Sequence, residues 1–279
     1  MASPCQILVD ASQANLAEEA RIRVAMEKVQ TEALRIEYKF SRYRTDNVMS
    51  SINESQGEVI SVDDETGKLL DFAYQCFQMS EGLFDITSGV LRKAWRFDGS
   101  DNVPDQKSVD ELMPFIGLDR VSWQKPKLIL PKGMELDFGG IGKEYAVDRC
   151  LQIAKDHCNF PILINFGGDL AASGPRHDNQ PWQVGIESVG GGQPAMLSLK
   201  KGAMATSGDA RRFLLKEGVR YSHILNPKTG QSIIDAPSSV TVTAPTCIQA
   251  GLMSTMALLQ GANAEAFLKA QEIQYWIQK

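Results

Sequence analysis

The sequence predicts a mixed α/β (α+β) fold, and three observations carry that expectation. A long stretch near the start has apolar residues at helical spacing. The second half breaks into short apolar runs closed by glycine-containing turns. No repeat of roughly 20 to 50 residues and no Ser-, Gly- or Pro-rich linker divides the chain. At 279 residues, 43% of them hydrophobic and 23% charged, the chain is long enough to bury a sizeable core. The expectation is one globular unit over residues 1–279, open to a two-lobed form with a cleft between the lobes.

The elements follow in order. CQILVDA reads as a short strand. Residues 14–40 read as a core-facing helix, because Ile22, Met26, Val29, Ala33, Ile36 and Phe40 recur every three or four residues among charged ones. Residues 41–55 are polar and suit a loop with short helical turns. Residues 64–77 give a second helix with Leu69, Leu70, Phe72, Ala73 and Phe77 on its apolar side. Residues 82–104 open with a turn, continue as a helix and close on a polar loop, and 109–113 is a short helical candidate. VSW, KLILP and MELDFGG are strand-like. A helix follows GGIGKEYAVD to about His157. PILINFGGDLAASG, WQVGIES, AMLSLKKGAMATSG, RYSHILNP and SSVTVTAP are strand candidates, 249–260 and 263–271 are helical, and YWI is a last short strand.

Composition excludes several functions. A net charge of −5 argues against a broad nucleic-acid-binding face. No window approaches the roughly 18 consecutive apolar residues of a membrane helix. The start, MASPCQILVD, lacks the basic and apolar regions of a secretory signal and has no lipobox. The chain is therefore expected to be soluble and cytoplasmic as given, or periplasmic if an N-terminal export signal was removed. The five cysteines form no CxxC pair, and the odd, scattered set reads as free, mostly buried thiols. His157, His177 and His223 are too widely spaced for a multi-histidine metal site; His157 and His177 are expected at the surface.

Four turns carry the candidate chemistry. In MELDFGGIGKEYAVDR, Gly139, Gly140 and Gly142 precede a helix whose first turn holds Lys143. Such a turn is either a tight strand-to-helix connection or a cradle in which backbone N–H groups, the helix N-terminus and a lysine meet a phosphate. It is neither GxGxxG after a first strand nor GxxxxGK[ST], so neither a Rossmann fold nor a P-loop is implied. NFGGDL places Gly167, Gly168 and Asp169 after an apolar strand. ATSGD offers Thr206, Ser207, Gly208 and Asp209, and HILNPKTG holds His223 and a Pro-Lys-Thr-Gly turn. Each is weak alone, but polar turns gathered after strands are how α/β proteins build ligand sites.

Taken together, SRY, FDIT…W, LDFGGIGKEYAVD, NFGGDL, ATSGD, HILNPKTG and a closing Thr-containing helix resemble, in order, the FAD:protein FMN transferase family, the ApbE-like proteins formerly called thiamine-biosynthesis lipoproteins. The resemblance runs from MASPC to Gly261. It implies a two-lobed, T-fold-related domain with FAD in the cleft and Mg²⁺ as the usual divalent ion. It further implies transfer of FMN through a phosphoester bond to a Thr or Ser of a target flavoprotein, releasing AMP. Some members hydrolyse FAD to FMN and AMP instead. By the same resemblance, Met1 and Tyr43 lie beside the flavin. Leu83, Phe84 and Asp85 contact FAD, and Gly139, Gly140 and Ser207 belong to its binding turns. Gly142 offers a carbonyl and Thr255 a hydroxyl to the metal, Lys143 sits beside the pyrophosphate, and Leu225 lies against the cofactor. His223 is the residue required for transfer; an imidazole with an ordinary pKa of about 6.5 suits a proton acceptor or orienter.

Two positions depart from the pattern. The family has an Asp four residues before the Thr; here that position is Gly251. A Mg²⁺ site normally relies on at least one carboxylate, so Asp169 and Asp209 become candidate substitutes, and a non-catalytic FAD-binding protein becomes an alternative to the transferase and the hydrolase. The family also has Gly where this chain has Glu144, which is expected either to crowd a phosphate or to point into solvent.

Overall fold

The structure is a computed structural model that describes residues 4–188, 195–208 and 213–279. Its centre is an antiparallel sheet of six strands in the order β1 (Cys5–Val9), β5 (Ile162–Phe166), β6 (Asp169–Ala172), β9 (Gly202–Gly208), β12 (Ser239–Ala244) and β13 (Tyr275–Gln278). β5 and β6 form a hairpin closed by Gly167 and Gly168, both at positive φ (64° and 98°), where a side chain would be strained. Along β5 the side chains alternate. Ile162, Ile164 and Phe166 join one core and Leu163 the other. Both faces of the middle strands are therefore covered, which explains why ILINF and DLAA lack a polar side.

Three helices cover one face: α1 (Leu16–Phe40), α5 (Gly142–His157) and α6 (Cys247–Leu259). α1 packs on α5, α5 on β5 and β6, and α6 on β9 and β12. α1 starts at Asn15, whose side chain accepts from the Glu18 amide while Glu18 accepts from that of Asn15, a reciprocal cap that fixes the first turn. On the opposite face the hairpin of β7 (Trp182–Ile186) and β8 (Ala195–Leu199) buries Trp182, Val184 and Ile186 against Leu170 and Met204. The remaining elements are α2 (Val48–Asn53), α3 (Asp64–Met79), α4 (Gln106–Asp110), α7 (Ala264–Ala270), the small sheet β2 (Val59–Ser61)–β4 (Lys127–Ile129)–β3 (Ser122–Gln124), and the hairpin β10 (Phe213–Lys216)–β11 (Val219–Ser222).

Several expectations are corrected. MELD joins no sheet. The side-chain amide of Asn53 takes the ladder's place, donating to the Leu136 carbonyl (3.1 Å) and accepting from its N–H (2.7 Å), and the chain then tightens into a 3-10 turn at Phe138–Gly140. The expected helix within residues 82–104 is a 3-10 helix, Ser88–Lys93. Short strands at β2 and β10 were not evident from spacing, and HILNP contributes only an isolated bridge between Leu225 and Ser232. Of the cysteines, Cys76, Cys150, Cys158 and Cys247 are buried and Cys5 is exposed, all as free thiols.

Two carboxylates lock the helices together. Thr246 makes no side-chain cap for α6; instead Asp148 of α5 accepts from the Cys247 and Ile248 amides at 2.7 and 2.9 Å. Asp148→Ala should therefore destabilise the fold by about 1–2 kcal/mol in denaturant unfolding. Glu65 of α3 accepts from Arg35 and Lys39 of α1 and from the Tyr145 hydroxyl of α5, all within 2.8 Å. Burial opposes the charge of Glu65, but these donors win and hold its carboxyl at about 2. A depressed folded-state pKa contributes stability that is present above the ordinary value of 4.5 and lost as pH falls towards 2. Acid unfolding of Glu65→Gln followed by circular dichroism should show a flatter dependence in that window, with lower stability at neutral pH.

Candidate functional site

Of the polar residues singled out in the sequence, Lys143, Asp169, Thr206, Ser207 and Thr255 gather where α5, β6, β9 and α6 meet. Lys143, in the first turn of α5, places Nζ 2.6 Å from Oδ2 of Asp169, the first residue of β6. Oδ1 of Asp169 accepts from the Thr206 amide of β9 at 3.2 Å. Asp169 thus joins three elements while its side chain is only 3% exposed. Burial works against the Lys143 ammonium, yet the Asp169 carboxylate holds its pKa above the usual lysine value, so Lys143 is a fixed cation. α5 itself starts without a side-chain cap, which leaves its N-terminus free of the carboxamide or carboxylate that closes α1, α2 and α3.

Glu144 does not point into solvent. It is 7% exposed and lies against Gly251 of α6. A Cβ at position 251 would sit 2.6 Å from Cγ of Glu144 and 2.9 Å from Oε1, so glycine is the residue that fits. Oε2 of Glu144 is buried without a hydrogen-bond partner. Burial, reinforced by the neighbouring Asp169 charge, pushes the Glu144 carboxyl up to about 8. Hydroxyls complete the junction: Oγ of Ser207 lies 2.8 Å from both Oγ of Ser254 and Oγ1 of Thr255, and Ser254 donates to the Gly251 carbonyl at 3.0 Å.

A second group forms around the glycine turn. Asp137 is ion-paired with Arg42, whose other nitrogen donates to the Tyr43 hydroxyl at 2.9 Å, so the SRY segment is tied to DFGG. The Gly139 N–H donates to Oδ1 of Asp137 at 2.8 Å and is thereby engaged within the turn, whereas Gly140 is exposed and faces the ring of Phe84. Asp85 is buried. Its carboxylate accepts from the amide and hydroxyl of Thr87 and from the Leu118 amide. Asp85 also borders a shallow recess of about 420 Å³ shared with Pro227 and Lys228 of the NPKTG turn, so segments far apart in sequence share one wall. Leu83, before them, is partly buried.

His223 stands edge-on to Phe97 with ring centroids 6.2 Å apart, and Leu225 packs beside Trp95 and Tyr221. Trp95 donates from Nε1 to the Gly230 carbonyl at 2.9 Å, which pins the NPKTG turn from inside. Gly230 has φ +69°, and a Cβ there would meet Val109 at 2.4 Å. Gly142 opens α5 one residue before Lys143. Met1 and Asp209 lie outside the described residues. His157 ends α5 near Lys28, and His177, partly buried rather than fully exposed, bonds to the Asp10 backbone. Sequence reasoning missed Arg42, which sits inside the SRY motif but whose partner is 95 residues away.

Comparison with known proteins gives the kinship of the chain. The sequence model of the ApbE family matches residues 1–277. The FAD:protein FMN transferase of Haemophilus influenzae is 28% identical over 240 residues, covering 81% of this chain and 69% of that protein. The protein of the same name from Treponema pallidum is 29% identical over 264 residues, covering 87% and 73%. Among solved structures, the ApbE protein of Thermotoga maritima superposes with a TM-score of 0.86 at 30% identity, covering 99% of this chain and 90% of that one. The apo flavinyl transferase ApbE of Pseudomonas stutzeri gives 0.82 at 26% identity, covering 91% and 82%. A family match over nearly the whole length, with a common fold beneath it, leaves no doubt of kinship: this chain belongs to the ApbE family.

Proposed function

We propose that this protein is an FAD:protein FMN transferase. The acceptor Thr or Ser hydroxyl of a target flavoprotein attacks the FMN phosphorus of FAD; a new O–P bond forms, the bond to the AMP phosphate breaks, and AMP leaves. The main support is the fixed Lys143 cation at the uncapped start of α5, beside an exposed Gly140. Phosphoryl transfer asks chiefly for positioning and charge neutralisation, and this corner offers both.

In this reading Lys143 steadies the pyrophosphate, and Gly140 and the α5 N-terminus hold its oxygens. Phe84, Asp85, Tyr43, Leu83 and Leu225 border the rest of the nucleotide, Gly139 and Ser207 belong to its binding turns, and Met1 is assigned beside the flavin by the resemblance alone. His223 accepts or orients the proton of the attacking hydroxyl. The donors near Gly142 and Thr255 are oxygens, and one, Oε2 of Glu144, is buried and unpartnered. They fit a hard divalent cation such as Mg²⁺ that keeps phosphate oxygens and water in its shell. Among the described residues no group of three or more His, Cys, Asp and Glu is gathered, so phosphate would be an essential part of that shell. When bound, the cation supplies charge neutralisation at the scissile diphosphate.

The test is the full chain incubated with FAD and Mg²⁺, with and without an acceptor flavoprotein. AMP release accompanied by covalent, fluorescent flavin on the acceptor is expected. AMP release without acceptor would identify an FAD hydrolase instead, and FAD uptake without turnover a carrier. His223→Ala should lower transfer by about 10²–10⁴-fold while FAD uptake persists. Lys143→Ala should lower it by about 10²–10³-fold and weaken uptake as well.

A further inference from the structure

The α5–α6 junction contains a charge arrangement that packing alone does not explain. Glu144 is more than nine-tenths buried, and one of its carboxylate oxygens has no hydrogen-bond partner. A second carboxylate, Asp169, adjoins it, and Lys143, the cation paired there, is bound to Asp169. A buried polar oxygen without a hydrogen-bond partner is costly, and the structure offers Glu144 Oε2 none. The oxygens of Ser207, Ser254 and Thr255 meet on the neighbouring faces of β9 and α6. This is a set of oxygens that includes one buried, unpartnered carboxyl oxygen, and a hard divalent cation that displaces the Glu144 proton would satisfy it.

The neighbour of the Glu144 carboxylate is also informative. The side chain fills the space that a Cβ at position 251 would need, with 2.6 Å to Cγ and 3.0 Å to Cδ. The two departures from the family pattern, Glu at 144 in place of Gly and Gly at 251 in place of Asp, are thus in contact across the α5–α6 packing. The acidic side chain of α5 thus occupies the space beside position 251 of α6.

We propose that Glu144 is the carboxylate ligand of the divalent cation in this protein, with Gly251 conserving the room it needs. The proposal rests on the transferase reading for the identity of the phosphate partner. It concerns cation binding, however, which is measured separately. Asp169 remains the partner of Lys143 and is a positioning residue for it.

The experiment follows Mn²⁺ binding to the full chain by equilibrium dialysis, with ADP, a diphosphate that carries no flavin, at equal concentration on both sides, so that the excess Mn²⁺ on the protein side reports the site and not the Mn²⁺–ADP complex. Flavin fluorescence in EDTA reads FAD uptake separately, so failure of the transferase reading is distinguishable from failure of this one. One Mn²⁺ per chain is expected in the presence of ADP. Glu144→Gln, close to isosteric, should weaken it about tenfold or more while the thermal melt stays cooperative. The double variant Glu144→Gly/Gly251→Asp should restore binding to within a few-fold of the original chain. Gly251→Asp alone should lower the melting temperature, because two acidic side chains would compete for one space. Unchanged Mn²⁺ affinity in Glu144→Gln, or no Mn²⁺ uptake by the original chain, overturns the proposal. A folded double variant that fails to recover the ion also overturns it. If the double variant does not fold, the Glu144→Gln comparison decides alone.

Discussion

The buried link between Lys143 and Asp169 is the constraint on which the arrangement around it depends. Asp169 opens β6 directly after a two-glycine turn, holds the first turn of α5 through Lys143, and takes the Thr206 amide of β9. An ion pair of this kind contributes little net stability, because desolvating both groups offsets most of their attraction. Its value lies in geometry. Three elements from separate parts of the chain are held in one relation, and a cation is kept charged at a helix start. Asp148, about one and a half turns further along α5 in the direction of its C-terminus, then anchors the amides that begin α6. α5 is thus fastened at one end to the sheet and at mid-length to its neighbouring helix.

Around this frame, the fold spends its polar groups in unequal ways. Asp137, Asp85 and Asn53 satisfy backbone or side-chain donors close to the glycine turn and so stiffen it. Glu144 does the opposite, carrying an oxygen that nothing in the described chain satisfies. A protein interior tolerates such a group where function compensates for it, as strained or unsatisfied groups collect at sites rather than in the bulk of the core. The contrast between neighbours, one set fully bonded and one left open, marks where a ligand is expected more sharply than the recess volume does.

Much of this was legible in the sequence, for identifiable reasons. α1 was readable because Val29, Ile36 and Phe40 face a core and the charged residues between them do not. ILINF was readable as a strand ending at Gly167 and Gly168, but PILINFGGDLAASG was read as one strand candidate, and only the fold shows that it turns there into the β5–β6 hairpin. MELD misled, since its alternation suits a strand while the partner it finds is the Asn53 side chain, which no local pattern encodes. The two segments SRY and DFGG were both visible, but their union through Arg42 and Asp137 spans the chain and depends on the fold. The same is true of Phe84 against Gly140. Glu144 was visible as an oddity, and only the crossing of two helices reveals what it faces. Spacing along one element is a local property; which faces meet is decided by the whole chain.

The contact between residues 144 and 251 bears on how such proteins diverge. An aspartate at 251 with Glu144 retained would force two acidic groups into one volume, and a glycine at 144 alone would leave none there. Drift at one site is therefore conditional on the other, and the two must be compared as a couple when relatives are sorted into working and degenerate copies. If Glu144 holds the cation as proposed, a survey that inspects only the α6 position would discard as defective a chain that carries its acidic group on α5.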